Sequence, residues 1–259
     1  MITAADLYRH RRIAEHAARL AGRELRRRLG NPGRVDHKSA PTDPVSDADR
    51  ASEALIVTEL RRHRPDDGIL AEEGSTQPSG SGLRWVIDPL DGTVNYLYGI
   101  PFFSVSIACE QHTPTGWQPL VGTVYDPMHD ELFHATRGAG AWLNEQPLAR
   151  RAPTGLHDAI LATGLAYRHH HRTRQGVLIN KLAAQARDLR MLGSTALALC
   201  WVAAGRCDGY LEDHAERWDL AAGSLIAEEA GAIVESFGAG VLAAAPHLAD
   251  ELKFHLPAT

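Results

Sequence analysis

Residues 85–95 read Trp-Val-Ile-Asp-Pro-Leu-Asp-Gly-Thr-Val-Asn. The stretch opens as an apolar strand and runs into a turn that holds two aspartates, a proline, a glycine and a threonine. Asp88 and Asp91 stand against the apolar run, where an unpaired carboxylate is partly desolvated and costly. Two carboxylates this close repel each other unless a cation lies between them. Gly92 and Thr93 follow as the start of a helix whose backbone N–H groups can bind an anion. Carboxylates for a hard divalent cation beside an anion pocket describe a metal-assisted phosphate site.

Other acidic signatures do not fit. Setting Asp91 and Gly92 at the fifth and sixth places of an EF-hand loop puts Ile87 first and Tyr98 twelfth, where oxygen ligands are required. The D-x-D-x-T signature of haloacid-dehalogenase phosphatases has one residue between its aspartates, and here two intervene. No G-x-x-x-x-G-K-[ST] or G-x-G-x-x-G stands at a strand–helix junction, and no G-x-S-x-G occurs.

The surrounding chain has 259 residues, 44% of them hydrophobic and 23% charged, which is ordinary for a globular protein. A formal net charge of -5 gives no global attraction to nucleic acid or acidic lipid. The basic runs at 9–12 and 26–28 flank a helix and read as its solvated face. Cys109, Cys200 and Cys207 form no C-x-x-C, and an odd number argues against a disulfide framework. Cys109 and Cys200 sit in apolar patterns and read as small core residues. No apolar run of signal-peptide or membrane-spanning length is evident, so the expectation is a reduced, cytoplasmic protein with no membrane partner.

Periodicity predicts a helix from Thr3 to Leu29 with a Thr3/Asp6 capping box, and a second from Ser46 with Asp49 three residues on. Strand-like runs follow at 84–88, 102–110, 119–125 and 131–135, a meander of antiparallel character. After about residue 150 strands and helices alternate: a strand at 160–163, helices at 172–188, 194–204 and 218–230, and strands at 208–212 and 232–236. The expected division is therefore 1–150, carrying Glu72, Asp88 and Asp91, and 151–259, carrying Glu212 and Asp219.

Further acids stand at element ends: Glu72-Glu73, Glu212 and Asp219. Each has an ordinary reading alone. Asp219 can cap a helix, Glu72-Glu73 can be loop charge, and Asp91-Gly92 can be a turn.

Taken together the residues match a family. Trp85–Asn95 resembles the first signature of the inositol monophosphatase family of magnesium-dependent, lithium-sensitive phosphatases, and 218–232, W-D-L-A-A-G-S-L-I-A-E-E-A-G-A, resembles its second. A-E-E-G at 71–74 is similar to its upstream acidic pair, and 192–212 to its substrate-side helix and strand. The resemblance implies an α/β (α+β) fold, a layered α-β-α-β-α sandwich of the inositol monophosphatase / fructose-1,6-bisphosphatase type, usually a homodimer. It implies two or three Mg²⁺ per site. Glu72, Asp88 and the carbonyl of Leu90 would hold the first, and Asp88, Asp91 and Asp219 the second. Glu73 would be a neighbouring acid, Thr93 with Asp49 would orient and deprotonate water, and Gly92 and Thr93 would present N–H groups to phosphate. Glu212 would take substrate hydroxyls, Ser194 and Thr195 would line the substrate pocket, and Lys38 falls near the family's loop lysine.

The expected function is release of phosphate from myo-inositol monophosphate or a similar polyol phosphate. Histidinol phosphate, fructose bisphosphate and 3′-phosphonucleotides are rivals on the same fold, and a non-catalytic metal- or protein-binding relative is the alternative of another class. No nucleic-acid partner is expected. The sequence departs from the family after 160–164, where Phe-Pro is common and Leu165-Ala166-Tyr167 stands instead. Arg168 and three histidines follow, and His169–His171 read as a solvated loop.

Overall fold

A computed structural model describes the chain except for Met1, Ser39, Thr154 and 257–259, and the side chains of His169 and His170. Helix α1 (Ala4–Arg28) starts on the expected capping box, with Thr3 Oγ1 accepting from Asp6 N–H and the Asp6 carboxylate accepting from Thr3 N–H. Its small buried face, Ala14, Ala17, Ala18, Ala21 and Leu25, repeats at helical spacing. A short ribbon of β1 (Val35–His37) and β2 (Pro44–Ser46) leads into α2 (Asp47–His63). Ser46 and Asp49 form the second capping box.

The main sheet is built from β3 (Gly68–Ala71), β4 (Thr76–Gln77), β5 (Leu83–Asp91), β6 (Ser104–Thr113), β7 (Gly116–Asp126), β8 (Glu131–Thr136), β9 (Ala141–Leu143) and β10 (Gln146–Pro147). Their order is β10-β9-β8-β7-β6-β5-β3-β4. Every pairing is antiparallel except β3 with β5, which the meander reading did not foresee. A short helix, α3 (Thr93–Leu97), leaves the end of β5.

The second sheet has the order β12-β11-β13-β15-β14, built from β11 (Ile160–Thr163), β12 (Asp188–Met191), β13 (Gly209–Glu212), β14 (Ile233–Phe237) and β15 (Gly240–Ala244). β12, β11 and β13 are parallel, and α4 (His169–Ala183) and α5 (Thr195–Ala203) make the crossovers. α6 (Arg217–Glu229) precedes the β14–β15 hairpin, and α7 (Pro246–Lys253) follows it. α1 and α2 cover one face of the main sheet, α5 and α6 lie between the two sheets, and α4 and α7 cover the far face of the second. That is the α-β-α-β-α layering the motifs implied. Cys109, Cys200 and Cys207 are buried free thiols, and among the described residues no helix is long and apolar enough to cross a membrane.

Three local readings are corrected. The stretch 88–91 is not a turn after the strand, because β5 continues to Asp91 through a bulge: Asp88 pairs Ser106 and Asp91 pairs Ser104. One extra residue is thus accommodated at Pro89-Leu90, where a proline without N–H costs no ladder bond. His169–His171 are not a loop but the first turn of α4, which begins three residues earlier than the periodicity suggested and ends at Ala183. Arg168 occupies its N-cap without a side-chain cap bond, so the sequence offered no start signal there. Asp188, read as the end of the helix, instead opens β12, which runs to Met191. β15 and α7 were not anticipated.

Candidate active site

The β5 bulge decides where the two aspartates point. At a spacing of three, residues on a regular strand face opposite sides of the sheet. The extra residue restores a common side, so Asp88 and Asp91 open into one cavity of about 950 Å³ together with Glu72, Asp219 and Glu212. The cavity lies at the C-terminal ends of β3 and β5, facing the ends of β11 and β13 and the starts of α5 and α6, and it takes walls from both halves of the chain.

Asp88 and Asp91 are buried, and Asp219 is only partly exposed within the cavity. Asp88 is pushed well above the ordinary carboxylate range by burial and then by the charges of Glu72, Asp91 and Asp219. Asp219 moves upward for the same reasons, burial first and then Asp91 and Glu72. Burial also raises Asp91, against three hydrogen bonds that favour its charge: Ser194 Oγ donates at 2.5 Å, Ala196 N–H at 2.8 Å and Thr195 N–H at 3.1 Å. Those donors are the start of α5, so Asp91 docks that helix onto β5 across a separation of about a hundred residues.

Asp219 is the third residue of α6 and accepts from Glu216 N–H at 2.7 Å in a capping box. The capping reading and the cavity-facing reading hold for the same carboxylate. Lys38 Nζ stands 2.8 Å from Glu72 and 2.6 Å from Glu73. Burial pushes Glu73 up to about 7 in spite of that lysine.

Thr93 Oγ1 donates to Asp49 Oδ1 at 2.9 Å and lies 3.1 Å from the Leu90 carbonyl. The other Asp49 oxygen accepts from Ser46 N–H at 2.8 Å and Ser46 Oγ at 2.5 Å. The capping box of α2 thereby fixes the carboxylate that faces Thr93, and burial raises its pKa. Gly92 has φ 103°, and a Cβ there would come within 3.0 Å of the Gly193 carbonyl and 3.2 Å of the Phe102 carbonyl. Only glycine permits that backbone and that approach.

On the opposite wall Glu212 is buried and pushed up to about 7, chiefly by burial. Its Oε2 accepts from Tyr210 Oη and, at 3.2 Å, from Thr195 Oγ1. All the residues singled out from the sequence line this cavity except Asp49 and Glu73, which stand behind Thr93 and Glu72.

Several residues escaped the sequence reading. Tyr210 shares the Glu212 face of β13, and the two-residue spacing was a usable signal. Glu53 is buried on α2 and accepts from Glu73 N–H at 2.8 Å and Ser75 N–H at 3.0 Å, holding the loop that presents Glu72. Asn95 ties α3 to the segments before β6 and before α5 through donations to the Phe102 and Leu192 carbonyls, each at 2.7 Å.

The residues fit a divalent cation electrostatically. Four acids converge on one cavity, and three of them are raised first by burial and then by neighbouring carboxylate charge, which a cation would relieve. Among the described residues no three His, Cys, Asp or Glu side chains stand already drawn into a metal cage. The present partners of these carboxylates are Lys38 and backbone or hydroxyl donors.

Residues 6–253 match the model of the inositol monophosphatase family. The chain is 40% identical over 253 residues to the Nus factor SuhB of Pasteurella multocida, covering 93% of this chain and 92% of that one. It is 41% identical over 232 residues to the inositol-1-monophosphatase of Mesorhizobium japonicum, covering 88% and 85%. The crystal structure of the extragenic suppressor protein suhB from Bartonella henselae superposes with a TM-score of 0.87 at 37% identity, over 94% of this chain and 96% of that one. The chain belongs to the inositol monophosphatase family.

Proposed function

We propose that the protein is a Mg²⁺-dependent phosphomonoester hydrolase acting on myo-inositol monophosphate or a similar polyol phosphate. The observation that carries the reading is the convergence of Glu72, Asp88, Asp91 and Asp219 on one cavity beside the Thr93–Asp49 pair. The family is metal-dependent and acts on phosphorylated substrates. In this chain Glu72, Asp88 and the Leu90 carbonyl would hold one Mg²⁺, and Asp88, Asp91 and Asp219 a second. Bound there, the metal would supply neutralisation of phosphate charge and a lowered pKa for water.

The protein's own groups would do the rest. Water hydrogen-bonded to Thr93 Oγ1 can pass a proton to that oxygen as the Thr93 proton moves to Asp49 Oδ1. The raised pKa of Asp49 suits it to receive one. Gly92 and Thr93 would offer N–H groups to the phosphate. Glu212, held by Tyr210 and Thr195, would accept hydrogen bonds from the hydroxyls of the leaving alcohol. Ser194 would act through Asp91, to which it donates.

A non-catalytic role stands beside this one, because some relatives are named Nus factor. The enzymatic reading is favoured because every position proposed to hold metal is filled in this chain and Thr93 is present. The expectation of no nucleic-acid partner rests on net charge alone. A homodimer is part of the proposal: Tyr98 (81% exposed), Ile100 and Met191 are apolar side chains that a partner copy would cover.

The test is phosphate release with Mg²⁺ across inositol 1-phosphate, histidinol phosphate, fructose 1,6-bisphosphate and a 3′-phosphonucleotide. Preference for the first is expected. Preference for another would overturn the named substrate, and Glu72→Gln with undiminished hydrolysis would overturn the metal assignment.

A further inference from the structure

A cation held by Asp88, Asp91 and Asp219 needs carboxylates from two separate elements, β5 and α6, at one separation. Mg²⁺ takes oxygen ligands at about 2.1 Å in a near-octahedral array and tolerates displaced ligands poorly. The two β5 carboxylates are set by the ladder with β6, in which Asp88 pairs Ser106 and Asp91 pairs Ser104. That ladder does not reach α6. The first turn of α6 carries a carboxylate whose charge Asp91 and Glu72 disfavour, so like charge works against its approach to β5. The cap between Asp219 and Glu216 lies within the helix start and moves with it.

The tie comes from β6. Ser104, Ser106, Ala108 and Glu110 alternate onto the sheet face that α6 covers. Ser106, the cross-strand partner of Asp88, donates from Oγ at 3.2 Å to the carbonyl of Trp218, the residue before Asp219. Farther along the same face, Glu110 is fully buried. Its Oε1 accepts from the guanidinium of Arg217, which directly precedes Trp218. Its Oε2 accepts from Arg84 Nε at 2.8 Å, and the Arg84 guanidinium lies 4.2 Å from the centre of the Trp117 ring. Arg84 and Glu110 are cross-strand partners, so the sheet itself fixes the carboxylate that Arg217 reaches. This restraint is strict, because Oε1 has no access to water that could replace the Arg217 donor. A surface ion pair would impose no such restraint.

Resting on the assignment of Asp219 to the second Mg²⁺ above, we propose that Arg217 is a positioning residue for that metal. Its link to Glu110, together with Ser106, sets the start of α6 against β6 and so places Asp219 opposite Asp88 and Asp91. β6 is then the common template for all three carboxylates. Arg217 does not line the cavity, so its effect reaches the reaction only through the metal.

The test is calorimetric titration of EDTA-treated, dialysed protein with Mg²⁺, alongside phosphate release from inositol 1-phosphate across Mg²⁺ concentrations. Arg217→Gln should raise the Mg²⁺ Kd about tenfold or more, with KM for inositol 1-phosphate and kcat unchanged once Mg²⁺ is saturating. Arg217→Lys, which keeps a charged donor for Glu110, should recover part of the loss. Arg84→Gln breaks the other half of the same cluster but leaves α6 tied. It should lower the melting temperature and keep the wild-type Mg²⁺ affinity. Asp219→Asn is the reference. If Asp219→Asn weakens Mg²⁺ binding and Arg217→Gln does not, the positioning role is overturned while the metal assignment stands. Equal weakening in Arg84→Gln and Arg217→Gln would also overturn it, since the stability of the cluster alone would then explain the effect. Wild-type Mg²⁺ affinity in Asp219→Asn would refute the metal assignment and this inference with it.

Discussion

A divalent cation should stabilise this fold, and removing one buried charge should do part of the same work. Asp88 is 2% exposed and Asp91 7% exposed, and both face Glu72 and Asp219 in one cavity. A ligand that binds only the folded chain adds about 2.7 kcal/mol at one hundred times its Kd. For a chain of this length each kcal/mol moves Tm by about 2–4 °C, so Mg²⁺ at that excess should raise Tm by about 5–10 °C over EDTA-treated protein. Asp88→Asn keeps an oxygen for the Leu90 N–H, which Asp88 Oδ1 accepts at 3.0 Å, and removes a charge that its neighbours disfavour. The variant should therefore melt above the wild type in EDTA and lose most of the Mg²⁺ response. Because the folded-state pKa of Asp88 is raised, the penalty is absent below the ordinary value of 3.8, grows as pH rises from there toward the folded value, and is full above it. The gap between variant and wild type in EDTA should close as melts are repeated toward pH 4. Scanning calorimetry with and without Mg²⁺ reads all three effects. An Asp88→Asn protein less stable than the wild type in EDTA, or one with the full Mg²⁺ shift, would refute the reasoning.

Other perturbations test other links. Thr93→Ala should lower kcat by about 10²–10⁴-fold while leaving the melt nearly unchanged, and Thr93→Ser should retain most activity because the donation to Asp49 survives. A Thr93→Ala enzyme of normal rate would remove Thr93 from proton transfer. Gly164→Ala places a methyl 2.5 Å from the Glu212 carboxylate, so KM should rise and stability fall by about 1–3 kcal/mol, as read by steady-state kinetics and denaturant melts. Glu53→Gln weakens two charge-assisted bonds that hold the loop at Glu73 and Ser75. A loss of about 1.5–3 kcal/mol is expected, together with weaker Mg²⁺ activation through displaced Glu72. Unaltered Mg²⁺ activation would confine Glu53 to a stability role.

The sequence carried the layers and most of the site because the relevant signals are local. Capping boxes at Thr3/Asp6 and Ser46/Asp49, the β5 apolar run and the two signature segments each specify structure within a dozen residues. One local signal was there and went unused: Asp49, Ser52 and Glu53 interrupt the apolar stripe that continues through Ile56, Val57 and Leu60. Buried polar residues on a core-facing stripe need partners, and those partners proved to be Thr93, the Pro89 carbonyl and the Glu72–Ser75 loop. What composition and periodicity could not show was relational. A three-residue spacing on a strand predicts that Asp88 and Asp91 diverge, and only the bulge, set by pairing with β6, makes them converge. The docking of α5 on Asp91 joins segments about a hundred residues apart and leaves no periodic trace. β15 is buried at every position and shows no two-residue period, so it was invisible until β13 paired with it, whereas α7 carried an unused signal in Pro246 at its start and the helical spacing of Leu248, Ala249 and Leu252. The same limit explains α4. Nothing at Arg168 announces a helix start, yet Ala166 and Tyr167 just before it are clamped by Gln175, Arg172 and Thr42, and the histidines that follow open α4 where the sequence suggested a solvated loop.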